Sequence, residues 1–249
     1  YKRQSQEFKG EVDYDFKTLK TTSLDIEVAC ENGFPNVHEC AEQLLAITVQ
    51  DQTTRKFKVF ATRDYTPSRR DVEFIYCDDE KSLLRKFLSY WETEFPDVLT
   101  GWNVELYDVP YICGRIERLF GDREVKRMSP WGIVRQDEVE IKGRLNIRYD
   151  LLGINVLDYM DLYKKFTYTN QESYRLDHIA NVELGKRKLD HSEYENFKDF
   201  YTKDWQKFID YNIIDTELVL QLEDKMKLIE LAVALASVSY THLTLPTMS

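Results

Sequence analysis

Asp25 and Glu27 are separated by one residue in the stretch Thr21-Thr22-Ser23-Leu24-Asp25-Ile26-Glu27-Val28. Alternation there predicts a β-strand with Leu24, Ile26 and Val28 on one face and Ser23, Asp25 and Glu27 on the other. Two carboxylates on one face resist joint ionisation and lose hydration when covered, a cost that bound divalent cations remove. A solvated edge strand would show the same short pattern. Two further acids bear on the choice. Asp108 precedes Val109-Pro110, with Ile112, Ile116 and Leu119 following at helical spacing. That puts it at a helix N-terminus, where plain N-capping is the competing reading. Asp215 lies in a late helix four residues after Tyr211, so the two side chains stand on one face. Brought together, the four acids form an all-oxygen ligand set for Mg²⁺ or Mn²⁺. Two such ions about 3.5–4 Å apart activate a water and stabilise the leaving oxygen of a phosphodiester.

Distant segments converge only if the elements between them allow it. Residues 1–18 are polar and mixed in charge and read as a lead-in from a preceding domain, with a short strand near Glu11 to Leu19. After the acidic strand, Glu31-Asn32-Gly33-Phe34-Pro35 is a turn that leaves an aromatic ring beside the acids. Leu44 to Gln50 and Phe57 to Ala61 predict two strands joined as an antiparallel hairpin by Asp51-Gln52-Thr53-Thr54. Asp78 or Asp79 caps a helix whose Leu83, Leu84, Phe87, Leu88, Trp91 and Phe95 face inward, and Val98 to Trp102 is a short buried strand. Gly121 to Arg135 reads as irregular, Val139 to Ile147 as a hairpin turning near Lys142-Gly143, and Ile154 to Leu157 as a strand leading into a helix over Tyr159 to Phe166. Leu176 to Ala180 is a helical turn, and Ser192 to Tyr201 an irregular helix. One long helix is expected from Asp204 to Ala236, with Phe208, Ile209, Ile213, Leu218, Leu222 and Met226 inward. This order suits an α/β protein, a mixed sheet flanked by helices with an inserted β-hairpin. Periodicity stops at Ser237, so residues 19–236 read as one domain and 237–249 as a non-native tail, with a native loop as the alternative.

Composition sets the outer limits. A chain of 249 residues with 43% hydrophobic content supports a sound core. No stretch is long or apolar enough to span a bilayer, and the start lacks both Met and a signal-peptide core, so the chain reads as an interior piece of something longer. Cys30, Cys40, Cys77 and Cys113 show no zinc spacing with one another or with the four histidines, and read as reduced thiols. A net charge of −10 argues against extensive wrapping of duplex DNA, but not against a site where metals offset phosphate charge.

With these residues in place, the sequence resembles the 3′–5′ proofreading exonuclease domain of family B DNA polymerases, in particular those of T-even-like bacteriophages. Asp25-Ile26-Glu27, Asn103 through Tyr107-Asp108, and Tyr211-Asn212-Ile213-Ile214-Asp215 match its three motifs in order. Thr100 to Glu105 and Val156 to Phe166 are longer phage-type stretches, so the likeness covers roughly residues 10–236. The resemblance implies a ribonuclease-H-like fold and metal-dependent release of nucleoside monophosphates from DNA 3′ ends. It implies that Asp25, Glu27 and Asp215 bind one divalent ion, that Asp25 and Asp108 share a second, and that Tyr211 orients the attacking water. Asn103 would support the site, and Phe34 would pack against terminal bases. Primer-template DNA, a polymerase domain and a sliding clamp are the partners it implies, in the cytoplasm of an infected bacterial host and with no membrane. A hairpin from such domains reaches toward the template; the competing reading is a hairpin that covers a sheet edge.

The polymerase metal-binding motifs have no counterpart here, since Asp215-Thr216-Glu217 belongs to the third exonuclease motif. Two other readings stay open at this point. Another ribonuclease-H-like nuclease would cut internally, and a single-strand-binding module would keep the acids as structural groups.

Overall fold

The computed structural model describes residues 18–31, 33–141, 143–186 and 194–239. Five of its strands come early: β1 (Thr21–Val28), β2 (Leu44–Asp51), β3 (Phe57–Ala61), β4 (Val72–Tyr76) and β5 (Val98–Gly101), with helix α1 (Glu80–Thr93) between the last two. Helix α2 (Asp108–Phe120) and the short α3 (Asp122–Val125) lead through a 3₁₀ turn at Lys126–Met128 to strands β6 (Val134–Ile141) and β7 (Arg144–Leu151). Strand β8 (Asn155–Asp158) is followed by α4 (Tyr159–Phe166), α5 (Leu176–Leu184), α6 (Phe197–Lys203), α7 (Trp205–Met226) and α8 (Leu228–Ser239).

Six strands form one mixed sheet in the order β4-β3-β2-β1-β5-β8. β2 runs antiparallel to both β1 and β3, while β5 pairs parallel with β1 and β8, and β4 parallel with β3. Helices cover both faces, which makes this a ribonuclease-H-like arrangement. Leu24, Ile26 and Val28 enter the core beneath α1 and α2, whose Leu83, Leu84, Phe87, Trp91, Ile112 and Ile116 are fully buried. Each such side chain contributes about 1.5–3 kcal/mol of burial. On the opposite face α6 and α7 press Phe200, Phe208 and Ile213 against β2 and β3. β6 and β7 form a separate two-stranded sheet, the inserted hairpin, held to the body by Tyr149 and Leu151.

The structure refines the sequence reading in several places. Asp79, not Asp78, caps α1, accepting from the Ser82 amide at 2.7 Å. The hairpin spans Val134 to Leu151, longer at its base than expected, and Lys142 at its turn lies outside the described residues. β4, α3 and the 3₁₀ turn went unread; the exposure of β4 does not alternate, and the other two have four residues or fewer. Thr18 and Leu19, the described part of the expected first strand, are not in a strand. The helix expected within Ser192 to Tyr201 starts at Phe197 and ends at Lys203. α8 runs on through Ser239, past the expected boundary at 236.

The single long helix expected from Asp204 is two helices, broken at Lys227, which adopts a left-handed φ of 57°. The Glu223 carboxylate accepts from the amides of Ile229 at 3.0 Å and Glu230 at 3.2 Å, so the last turn of α7 caps the first turn of α8. The Tyr159 hydroxyl donates to the same carboxylate at 3.1 Å. No Gly or Pro marks this break, and the apolar period continues through it, which hides it from the sequence.

Gly101 is required by contact rather than by torsion. A Cβ there would stand 2.5 Å from the Leu24 carbonyl oxygen and 2.9 Å from the Val104 Cβ. Gly101→Ala is expected to lower stability by about 1–3 kcal/mol, the range for overpacking a tight core, measured by urea unfolding; an unchanged midpoint would show that β1 and β5 can separate freely at this point.

Candidate active site

β5 pairs with β1 only from Thr21↔Val98 to Ser23↔Thr100 and then ends at Gly101. Beyond it the flank of β1 is open, and the Ile26 amide needs an acceptor. Asp108 Oδ1 supplies it at 3.0 Å. Asp108 is the first residue of α2, and the cap position belongs to Tyr107, so its carboxylate ties helix to strand instead of serving as the N-cap. That bond sets Asp108 against the one residue that separates Asp25 from Glu27.

Glu27 is 6% exposed and stands where β1 becomes irregular, for the β2 partner jumps from Ala46 to Leu44 between Glu27 and Val28. Bulges of this kind re-aim side chains at the ends of strands. Asp25 is half-buried and lies under α7, where its Oδ2 accepts from Asn212 Nδ2 at 2.5 Å. Asn212 is fully buried and takes the Thr48 hydroxyl on its Oδ1, which links β2, α7 and β1 in one chain of hydrogen bonds. Ser23 Oγ donates to the Thr216 carbonyl at 3.2 Å and fixes the same helix one turn on. Asp215 therefore faces the sheet, 6% exposed, and its charge bears on Asp108. Tyr211 is half-buried, its ring edge-on to Phe200 at 5.9 Å.

Burial pushes the Asp108 carboxyl up to about 8, and the charges of Asp158 and Asp215 push the same way against the Ile26 amide. Asp158, at the end of β8, is raised by burial to about 7, with Asp161 as its next-largest influence. Among the described residues no three His, Cys, Asp or Glu side chains are so placed that they could hold a metal ion. Asp108 is thus bonded between Asp25 and Glu27 on β1, and Asp215 is near enough to act on it, without a closed coordination shell. Their donor chemistry fits Mg²⁺ or Mn²⁺, since the set is all carboxylate oxygen and partly stripped of water.

Phe34 is 84% exposed, with its ring centroid 5.5 Å from that of Tyr107, the residue before Asp108. The Phe34 loop, Leu106 and the hairpin residues Arg144, Asn146 and Ile147 line an open groove of about 490 Å³. His38 Nε2 lies 3.1 Å from the Leu145 carbonyl and bridges loop to hairpin. The returning limb of the loop is anchored in the interior. Buried Arg115 donates to the carbonyls of Cys40 and Ala41 and pairs with Glu80, which also accepts the Leu44 amide. Asn103 adopts a left-handed φ of 65°, and its amide donates to Asp158 Oδ1 at 3.1 Å.

Asn212, Thr48 and Asp158 were missed as site residues. Asn212 precedes Asp215 by three positions on one helix face, so spacing alone could have singled it out. Asp158 was legible only as a residue before a helix.

Two acids on a central strand and two more brought to it by helices, beside an exposed ring and a groove, lie on a ribonuclease-H-like sheet of the kind found in nucleases. Residues 2–179 match the description "DNA polymerase family B, exonuclease domain", and the chain belongs to that family. It is 36% identical over 254 residues to the DNA-directed DNA polymerase of Escherichia phage RB69, covering 92% of this chain and 28% of the relative. It is 31% identical over 257 residues to the DNA-directed DNA polymerase of Enterobacteria phage T4, covering 93% and 28%. It is 27% identical over 235 residues to a DNA polymerase of Paramecium bursaria Chlorella virus NY2A, covering 85% and 25%. The chain thus spans little more than a quarter of the length of these relatives.

The raised Asp108 carboxyl carries a pH signature. An unfolded Asp releases its proton near about 4, whereas the folded one holds it to about 8. Between those values the folded state binds more protons, so stability falls as pH rises. In chelator, Asp108→Asn should flatten that fall between about pH 4 and pH 8, measured by urea unfolding at stepped pH; an unchanged slope would mean that Asp108 titrates normally.

Proposed function

We propose that this exonuclease domain removes nucleoside monophosphates from DNA 3′ ends, as the proofreading part of a longer family B DNA polymerase. The observation that carries the reading is the Asp108 carboxylate bonded to the Ile26 amide. It draws an acid from the second motif between the two acids of the first. Family membership and the phage relatives support the same activity.

In this reading Asp25, Glu27, Asp108 and Asp215 hold two divalent cations, Mg²⁺ or Mn²⁺, which when bound supply the charge that generates a nucleophile from water and stabilises the leaving oxygen. The protein's own groups arrange the rest. The Tyr211 hydroxyl orients the water, while Asn212 holds Asp25 in one rotamer. Phe34 and Tyr107 form a stacking surface for terminal bases, and Asn103 supports the turn that leads to Asp108. A strand end held by stacking and cations suits a protein of net charge −10 better than a basic groove does. Primer-template DNA, the polymerase domain and a sliding clamp would be partners of the whole protein, in an infected bacterial cell. Among the described residues no helix is long and apolar enough to cross a membrane.

With Mg²⁺, 3′-labelled linear single strands should yield labelled mononucleotide while circular single strands stay intact; cutting of circles would instead indicate an internal nuclease. Asp25→Ala and Asp108→Ala should each lower the rate by at least about a thousandfold, and Tyr211→Phe by roughly ten- to a hundredfold. An Asp108→Ala rate within a fewfold of the parent would remove Asp108 from the chemistry.

Phe34→Ala in an Asp25→Ala background should weaken single-strand binding by about 1–3 kcal/mol, the value of one lost base stack. Fluorescence anisotropy of a labelled oligonucleotide measures it, and an unchanged dissociation constant would assign Phe34 to the turn alone.

A further inference from the structure

The carboxylate of Asp158 receives three backbone amides from two directions. Oδ1 accepts from Met160 at 3.0 Å and from Asn103 at 3.1 Å, and Oδ2 accepts from Glu105 at 3.1 Å. The first of these bonds caps α4, an ordinary duty for an Asp before a helix. The other two reach across the sheet to the turn that follows β5. Asp158 is 1% exposed, so both oxygens are committed inside the protein.

The turn they hold is the one that delivers Asp108. Its first residue, Asn103, is left-handed, a conformation with a cost for any residue with a Cβ. The Asn103 carbonyl then accepts from Leu106 at 3.3 Å and Tyr107 at 3.0 Å, and the Val104 carbonyl accepts from Val109 at 3.0 Å. Backbone bonds thus tie the turn from Asn103 to Val109, with Asp158 holding its start and the Ile26 amide holding Asp108. We infer that Asp158 is a positioning residue for the exonuclease reaction, acting through the Asn103–Tyr107 turn to set where Asp108 and Tyr107 stand.

The inference rests on the proposed activity, and the two fail differently: an inactive parent protein would count against the activity, whereas the variants below test Asp158 against an active parent. Asp158→Ser separates cap from clamp, because Ser caps helices well but offers one short oxygen and leaves no second acceptor for Glu105. On a single-stranded oligonucleotide with Mg²⁺, kcat should fall roughly ten- to a hundredfold, the effect of a misplacement of about 1 Å. KM should stay within threefold of the parent, and the melting temperature should fall, because the Asn103 and Glu105 amides lose their buried acceptor, without loss of the folded state. Independently of activity, amide hydrogen exchange at Asn103 and Glu105 should accelerate in Asp158→Ser while Met160 stays protected. Parental kcat, or unchanged exchange at Asn103 and Glu105, would reduce Asp158 to a helix cap and overturn the inference. If Asp158→Ser fails to fold, Asp158→Asn keeps the volume and one acceptor while turning an amide N–H toward the Glu105 donor, and the same loss of kcat is expected. Parental kcat in Asp158→Asn, or unfolding of both variants, would equally overturn it, since the carboxylate would then serve the fold and not the turn.

Discussion

The hydrogen bond from the Ile26 amide to Asp108 is the contact on which the site depends. It exists because β1 is longer than its neighbour: β5 stops pairing at Ser23, and the next amide on that flank must find another acceptor. A carboxylate at the start of α2 meets the need. One bond therefore closes the sheet edge, docks the helix and sets the second-motif acid among the first. Loss of the acceptor would strand a buried amide, at a cost of about 1–3 kcal/mol, so fold and site share this interaction.

The opposite side of β1 is governed by a hydrogen-bonded chain. Thr48, Asn212 and Asp25 connect β2, α7 and β1 in series, and Ser23 adds a second tie through the Thr216 carbonyl. With α7 fixed in rotation by Asn212, Asp215 has one face it can occupy, three residues further on. The ring of Tyr211 also stands perpendicular to that of Phe200, 5.9 Å away. Asp25 and Asp108 are thus held by hydrogen bonds, and the ring of Tyr211 rests against Phe200.

Much of this was legible in the sequence because it follows from short periods. The two-residue alternation of Thr21 to Val28, the helical spacing of α1 and the Asp108-Val109-Pro110 start gave element types with nearly correct bounds. Other features leave no periodic trace. The break at Lys227 depends on Glu223 reaching forward to cap α8, a tertiary choice that no helix-ending residue announces. Asn212 and Asp158 were visible as letters, but their roles depend on partners about 164 and 55 positions away in the chain. Nor does local sequence carry the truncation of β5 that makes room for Asp108.

The loop that presents Phe34 is built from two unlike parts. Its root is gripped in the interior by Arg115 and Glu80, which hold two carbonyls and an amide of the returning limb. Its crown, from Gly33 to His38, meets the body through the Phe34–Tyr107 rings, buried Pro35, Val37 against the core and the bridge from His38 to the hairpin. Such a loop behaves as a short arm on a rigid pivot. Substitutions at the exposed crown residues alter what the arm presents, while the buried guanidinium beneath holds where it is mounted.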